Sequence, residues 1–482
     1  MKRSLYILTI GLLTGVLLLS ACYNDVLPED SGQPAVSMHD SRFINLHIVG
    51  HTQTQTRADF SEKATAAENA IYDGILCIFE GANEATATLK TATVIDQLIS
   101  NPGTVATSGA SVDVLVTQQL ATGTHAYNNH LYVLALLNTT ATGFAVSGTS
   151  LTLNGSPFAS TTPVADISNS IVNSVGSTEE HVGLFMSNAP QTGYIMPEVS
   201  TTCLFDTPEA AAAGSRLTIK VERAAAKVSV GNSATTPLTT IRLNPRSGDT
   251  ADRHPSVHKM TWTLNNYNTQ SYTIRSGSTA ADNWATSVDA LTTLTAKDFS
   301  LYPQQSHSQD VVYIAENTTG TSTEAIVEVQ LKDNNNMLIH EGYVFRPFDD
   351  SFVENSYTDI YTSAEQYIAY LRDELPPANK SAFSLAAVDN ADIFKYATVT
   401  PEAGGSVTIT LVNSDLTPAQ QAGLTDLATF LSNHTSSFRD GKMYYTYKIK
   451  HNDTPTSGVV RNNAYNLTLQ SSSITRIGRP TP

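Results

Sequence analysis

The sequence predicts a mainly β protein with a few short helices. Serine, threonine, asparagine and glycine are abundant, charged residues make up only 15% of the 482 residues, and apolar residues come in short alternating runs separated by turn residues. Length alone allows two or three domains, because β domains run large.

The chain opens on an export signal. Lys2 and Arg3 precede an apolar run from Leu5 to Leu19, too short to span a bilayer comfortably, followed by Leu19-Ser20-Ala21-Cys22. This segment resembles the lipobox of bacterial lipoproteins, which implies a signal peptide over 1–21 and an acylated Cys22; plain cleavage that leaves a thiol is the alternative. Two or more acyl chains, at about 0.8 kcal/mol per buried methylene, give a lasting anchor where one does not. Tyr23 to Asp40 is acidic and punctuated by Pro28, Gly32 and Pro34, and reads as a tether.

The stretch Arg42 to Ala58 (RFINLHIVGHTQTQTRA) organises the rest of the chain. Ile44, Leu46 and Ile48 alternate with Phe43, Asn45, His47 and Val49, the period of a strand. Gly50 to Thr56 has no apolar residue to bury and delivers Arg57 and Ala58 to a loop suited to proteolysis. The expectation is a strand that fills a groove in the protein's own sheet, vacated by cleavage after Arg57; an ordinary N-terminal strand with a dispensable linker is the alternative. The propeptide is then 22–57.

The product from Ala58 to Pro482 loses four residues of each charge sign, so the net charge stays at −16. So acidic a chain lacks the basic face that attracts nucleic acid or anionic lipid. Of three cysteines, Cys77 and Cys203 remain after lipidation of Cys22. A buried free thiol is expected of Cys77, which sits in an apolar run, with a disulfide to Cys203 as the alternative.

Further along, a helical turn precedes a strand from Ala70 to Glu80, with Ile71, Ile75, Cys77 and Phe79 available for a core. A short helix is expected over Thr93 to Ser100. Strands follow at Ser111 to Gln118 and His130 to Asn138, the latter apolar on both faces and therefore central. Thr207 caps a helix to Ala213 with proline at its first position, stopped by Gly214. One strand over Arg216 to Val230 is long enough to close a domain. Gly231 to Pro237 is the candidate boundary between a domain at 58–231 and another at 232–482.

Past the boundary, the stretch around Trp262, Tyr267 and Tyr272 reads as a hairpin turning at Asn265-Asn266. Val311 to Ala315 and Ala325 to Leu331 are strands. Helices are expected over Thr362 to Leu375 and Thr417 to His434, the second with Leu424, Leu427 and Leu431 on one face. Asp440-Gly441 turns the chain into a strand at Lys442 to His451, and Gly458 to Gln470 is expected to pair with it.

The order of lipobox, arginine-ended strand, FMSNA (Phe185 to Ala189), VERAAAKV (Val221 to Val228), YIAEN (Tyr313 to Asn317) and the closing YYTYKIKHNDTPTSGVVRNNAYNLTL resembles the Bacteroidales fimbrillin family over nearly the whole chain, and most closely the shaft subunits of the minor fimbrium. The resemblance implies two tandem β-sandwich domains (transthyretin-like, Greek-key) and surface export as an outer-membrane lipoprotein. It also implies cleavage by an arginine-specific protease and polymerisation by strand exchange with other copies and with anchor and tip subunits. Carried over to this sequence, Arg57 is the cleaved residue, Ile44, Leu46 and Ile48 are the plugs that vacate, and Tyr465 to Pro482 is the donor end. That end offers Tyr465, Leu467 and Leu469 on one face, then Ile474 and Ile477, whose spacing breaks strict alternation. Pro480 and Pro482 cannot donate to a ladder, so pairing should finish near Gly478. The favoured split keeps Tyr465 to Gln470 in the subunit's own sheet and exports only the tail.

No catalytic residue, metal or cofactor is expected. The sequence has no glycine-rich phosphate loop, no metallohydrolase histidine pair and no serine between glycines at a nucleophile turn. His340-Glu341 lacks a second histidine, and neighbours such as Asp349-Asp350 or Glu179-Glu180 would face opposite ways on a strand. The alternative function is a tip adhesin or glycan-binding lipoprotein using Trp262, Trp284, Tyr267 and Tyr272, although core packing is the favoured reading of those aromatics.

Overall fold

The computed structural model describes residues 43–50, 65–95, 113–120, 129–179, 182–191, 193–232, 237–246, 253–275, 287–288, 291–292, 311–318, 320–345, 358–375, 377–451, 458–469, 474 and 477–480. Cys22, Arg57, Ala58, Trp284, the signal segment and the tether lie outside these residues.

The chain is mainly β, and the first half is ordered around one eight-stranded sheet. Its strands are β1 (Phe43–Gly50), β2 (Gly74–Gly81), β3 (Thr88–Val94), β4 (Asp113–Gln119), β5 (His130–Leu137), β6 (Met186–Asn188), β7 (Leu204–Phe205) and β8 (Leu217–Arg223). β5 is interior, between β6 and β2, as its two apolar faces require. The two-residue period sends Leu76 and Ile78 into one core layer, with Ile44, Leu46 and Ile48, and Ile75, Cys77 and Phe79 into another on the opposite face. Cys77 and Cys203 are both buried, in different layers, and are not joined in a disulfide.

The second half begins with β9 (Ala225–Asn232), in a five-stranded sheet whose order is Leu291–Thr292, Tyr267–Asn268, β11 (Val311–Ala315), β9, β16 (Ala464–Leu469). A three-stranded sheet of β10 (Ser256–Asn265), β12 (Glu324–Lys332) and β15 (Lys442–Lys448) shares a core with it, where Val228, Val230 and Ile314 meet Trp262, Val327 and Met443. β13 (Glu341–Phe345) pairs with β14 (Thr435–Arg439).

Four helices bear on the packing: α1 (Ala66–Asn69), α2 (Pro208–Ala213), α3 (Ala364–Glu374) and α4 (Pro418–Asn433). α4 starts at the residues its capping signals predict. Thr417 and Gln420 form a reciprocal capping box, Pro418 takes the first turn, and Leu424, Leu427 and Leu431 are buried. With Tyr343, Tyr361 and Tyr367 they build a core separate from that of the sheets.

Three local expectations fail, and a fourth is displaced at its start. Of the helix expected over Thr93 to Ser100, Thr93 and Val94 belong to strand β3 instead, and residues 96–100 lie outside the described residues. The single strand over Arg216 to Val230 is two, β8 and β9, which enter different sheets on either side of Ala224. Ala224 is buried, and its N–H donates to Phe185 O at 2.9 Å. The hairpin at Asn265-Asn266 is a corner instead. Asn266 turns with φ +54°, but β10 pairs with β12 while Tyr267–Asn268 joins β11 in the other sheet. Finally, Gly458 to Gln470 does not pair with Lys442 to His451; β16 lies parallel on β9.

Candidate functional site

β1 is an interior strand, although it stands first in the described chain. On one side it pairs antiparallel with β4 from Phe43↔Gln119 to Val49↔Asp113. On the other, Phe43 and Ile44 pair with β7, and Leu46 to Gly50 run parallel with Leu217 to Val221 of β8. Among the described residues β4 has no other strand partner. Taking β1 away therefore leaves a slot with backbone donors and acceptors bare on both walls.

The slot is also deep. Ile44, Leu46 and Ile48 are each 0% exposed and pack in one cluster with Val114, Val116, Leu217, Ile219 and Val221. At about 1.5–3 kcal/mol for each buried aliphatic, and about 1 kcal/mol net for each backbone bond, β1 is held firmly without any covalent link. Its other face carries Asn45, also buried, whose Nδ2 donates to Gly214 O at 3.2 Å at the end of α2. The predicted plugs are thus brought together, facing one core.

Where the described chain resumes after residues 51–64, it is pinned at once. Thr65 N–H donates to Glu68 Oε2 at 2.7 Å, the Tyr313 hydroxyl donates to Glu68 Oε1 at 2.7 Å, and Lys227 Nζ lies 3.0 Å from the same oxygen. Burial pushes the Glu68 carboxyl up, but the hydrogen bonds from Tyr313 and Thr65 and the charge of Lys227 outweigh it and hold the group below its ordinary value. Arg223 adds bonds to Glu68 O, Asn69 Oδ1 and Asn462 Oδ1.

Arg223, Lys227, Tyr313 and Asn462 come from the motifs that carry the family resemblance, and their roles converge on the joint between the halves. Arg461, fully buried, donates to both carboxylate oxygens of Glu316 and, at 2.7 Å each, to Ser271 Oγ and Tyr272 O. Glu222 lies 3.3 Å from Arg275, with its carboxyl pushed up by burial. Asn188 accepts from Ala135 N–H and donates to Val133 O and Ile195 O. Asn138 is fully buried and bonded to Tyr72, Ala70 and Leu184, so it is a structural peg. Sequence reading missed this joint. Its one signal was charged Glu222-Arg223 inside an otherwise strand-like run.

The predicted donor residues all lie against the protein's own second half. Tyr465 is buried in β16, its hydroxyl accepting from Val460 N–H at 2.9 Å and lying 2.9 Å from His451 Nδ1. Leu467 packs partly buried on the same core, and Leu469 pairs with Asn232. Ile474 and Ile477 are each 1% exposed in that core. Pairing extends to Arg479, whose N–H and C=O bond Tyr444 at 2.9 and 3.0 Å. Gly478 is required there, because a Cβ would come within 2.7 Å of Tyr444 O.

Residues 436–482, which include β16 and this tail, match the family model for major fimbrial subunit protein type IV, fimbrillin, C-terminal. No curated protein matches the chain in sequence. Among solved structures, the chain is similar to a fimbrial assembly protein of Parabacteroides distasonis at 13% identity, covering 60% of this chain and 83% of that one with a TM-score of 0.32. It is also similar to the tip fimbrial protein Mfa3 of Porphyromonas gingivalis, with C-terminal truncation, at 11% identity, covering 61% and 79% with a TM-score of 0.26. Of the aromatics considered for a sugar platform, Trp262 is 3% exposed in the core of the second half. Among the described residues no group of three or more His, Cys, Asp or Glu is placed to hold a metal ion.

Proposed function

We propose that this chain is a structural subunit of a cell-surface fimbrium that polymerises by exchanging strands. The precursor is exported and held at the outer membrane through lipid on Cys22. Cleavage after Arg57 by an arginine-specific protease frees β1, and the tail of another subunit takes its place. The observation that carries this reading is the interior position of β1, whose loss would bare the walls of β4 and β8 together. A free strand also competes less well than a tethered one, which acts at high effective concentration. This is why the cut would matter.

On this reading β16 stays at home and the donor is the tail beyond it. Tyr465 is tied to Val460 and His451 and belongs to the subunit's own core. Ile474, Ile477 and Arg479 must then leave that core and Tyr444 before they can be lent to a neighbour. Anchor and tip subunits and surface receptors complete the expected partners.

The test compares mass and size of the precursor before and after a trace of arginine-specific protease. Cutting should remove the segment ending at Arg57 and give detergent-resistant ladders, while an Arg57→Ala variant and a chain truncated after Gln470 stay monomeric. A cut, full-tailed protein that remains a monomer would overturn the proposal.

A further inference from the structure

We propose that the continuous run β8–Ala224–β9 is a tension line, loaded in shear when the molecule is pulled by its two ends. Among the described residues, every pairing in the two large sheets is antiparallel except two. β1 lies parallel on β8 from Leu46↔Leu217 to Gly50↔Val221, and β16 lies parallel on β9 from Lys227↔Ala464 to Asn232↔Leu469. β8 and β9 are separated by Ala224 alone. The N-terminal strand and the last strand are thus both laid on one covalent rail that passes through both halves.

Direction decides how such a pair resists force. When the chain is pulled by its ends, β1 is drawn from its N-terminal end and β8 from its C-terminal end. In a parallel pair those are opposite ends, so the load runs along the strands and all the slanted hydrogen bonds share it. In an antiparallel pair the same two ends would be neighbours, and the bonds would open one after another. The second half repeats the arrangement. β9 is drawn from its N-terminal end and β16 from its C-terminal end, again in shear. Where β8 passes into β9, Arg223 holds Asn69 of the first half and Asn462 of the second, so the crossing point is braced from both halves.

The extension to a fibre rests on the assembly reading. A donor tail that replaces β1 in the same direction is tied to its own subunit at its N-terminal end. Tension would then pass from tail to β8, through Ala224 to β9, and by β16 to the next tail, without running through the rest of either half.

Single-molecule pulling on the intact, uncleaved chain tests the proposal, with β1 standing for the donor. One set of molecules carries handles at the N- and C-termini. The other carries them at exposed Thr239, past the end of β9, and at the C-terminus, which loads β9 and β16 at the same end. Rupture at a several-fold higher force in the first geometry is expected, with β16 peeling early in the second. Equal forces, or a weaker first geometry, would overturn it. Neither pull needs cleavage or polymerisation, so a chain that never forms ladders would refute the assembly reading without deciding this one.

Discussion

A chain begun at Ala58, made without the residues before it, is expected to lose most of the stability of its first half. The three plugs alone account for roughly 5–9 kcal/mol at the usual aliphatic burial energy. Whole domains are stable by only about 5–15 kcal/mol. β4 loses its strand partner at the same time, so the loss is expected to centre on β4, β7 and the edge of β8 rather than to spread evenly. Thermal melting and binding of a hydrophobic dye check this. A peptide of Phe43 to Gly50 added in trans should restore the melting temperature and expel the dye. The same peptide with Leu46→Asp should fail, because its charge would enter a wholly apolar layer without a partner. A His47→Ala peptide should rescue nearly as well as the native one, since His47 lies on the face away from that layer and is only half-buried.

The second large effect is expected at the joint. Arg461→Met removes the guanidinium and leaves Glu316 buried, at 6% exposed, without the group that neutralises it. Breaking one side of a buried pair costs about 3–5 kcal/mol, most of it from the stranded charge. Adding Glu316→Met should recover most of the loss, because an apolar pair of similar volume packs where the ion pair stood. Denaturant unfolding of the native chain, both single variants and the double variant gives the coupling directly. Equal stability of Arg461→Met and the native protein would mean that this buried pair does not hold the second half together.

How far the sequence could be read depends on which forces act locally. The plugs Ile44, Leu46 and Ile48 were legible because a strand's two-residue period declares its buried face without reference to any partner. The start of α4 was legible because Thr417, Pro418 and Gln420 satisfy the first turn by themselves. The switch at Ala224 was not. β8 and β9 alternate in the same way, and which sheet each joins is decided by strands far off in sequence, β1 and β6 for one, β11 and β16 for the other. The corner at Asn266 failed for the same reason: a left-handed asparagine ends a strand but does not say that the next strand returns beside it. Val94 shows the reverse case, where a residue with weak helical character is claimed by a ladder with Ile75. The donor end was half legible. Tyr465 and Leu467 mark a strand, but only the contacts of Ile474, Ile477 and Arg479 show that the tail lies on its own subunit.

The central claim is that the slot between β4 and β8 is filled, emptied and filled again. Hydrogen exchange at every second amide of Asp113 to Gln119, the ones that face β1, measures this most directly, because β1 is the strand those amides pair with. The account predicts strong protection in the precursor, loss of protection in the cut monomer once the freed strand is removed, and return of protection in the polymer. Protection of β4 that persists unchanged through all three states would contradict it.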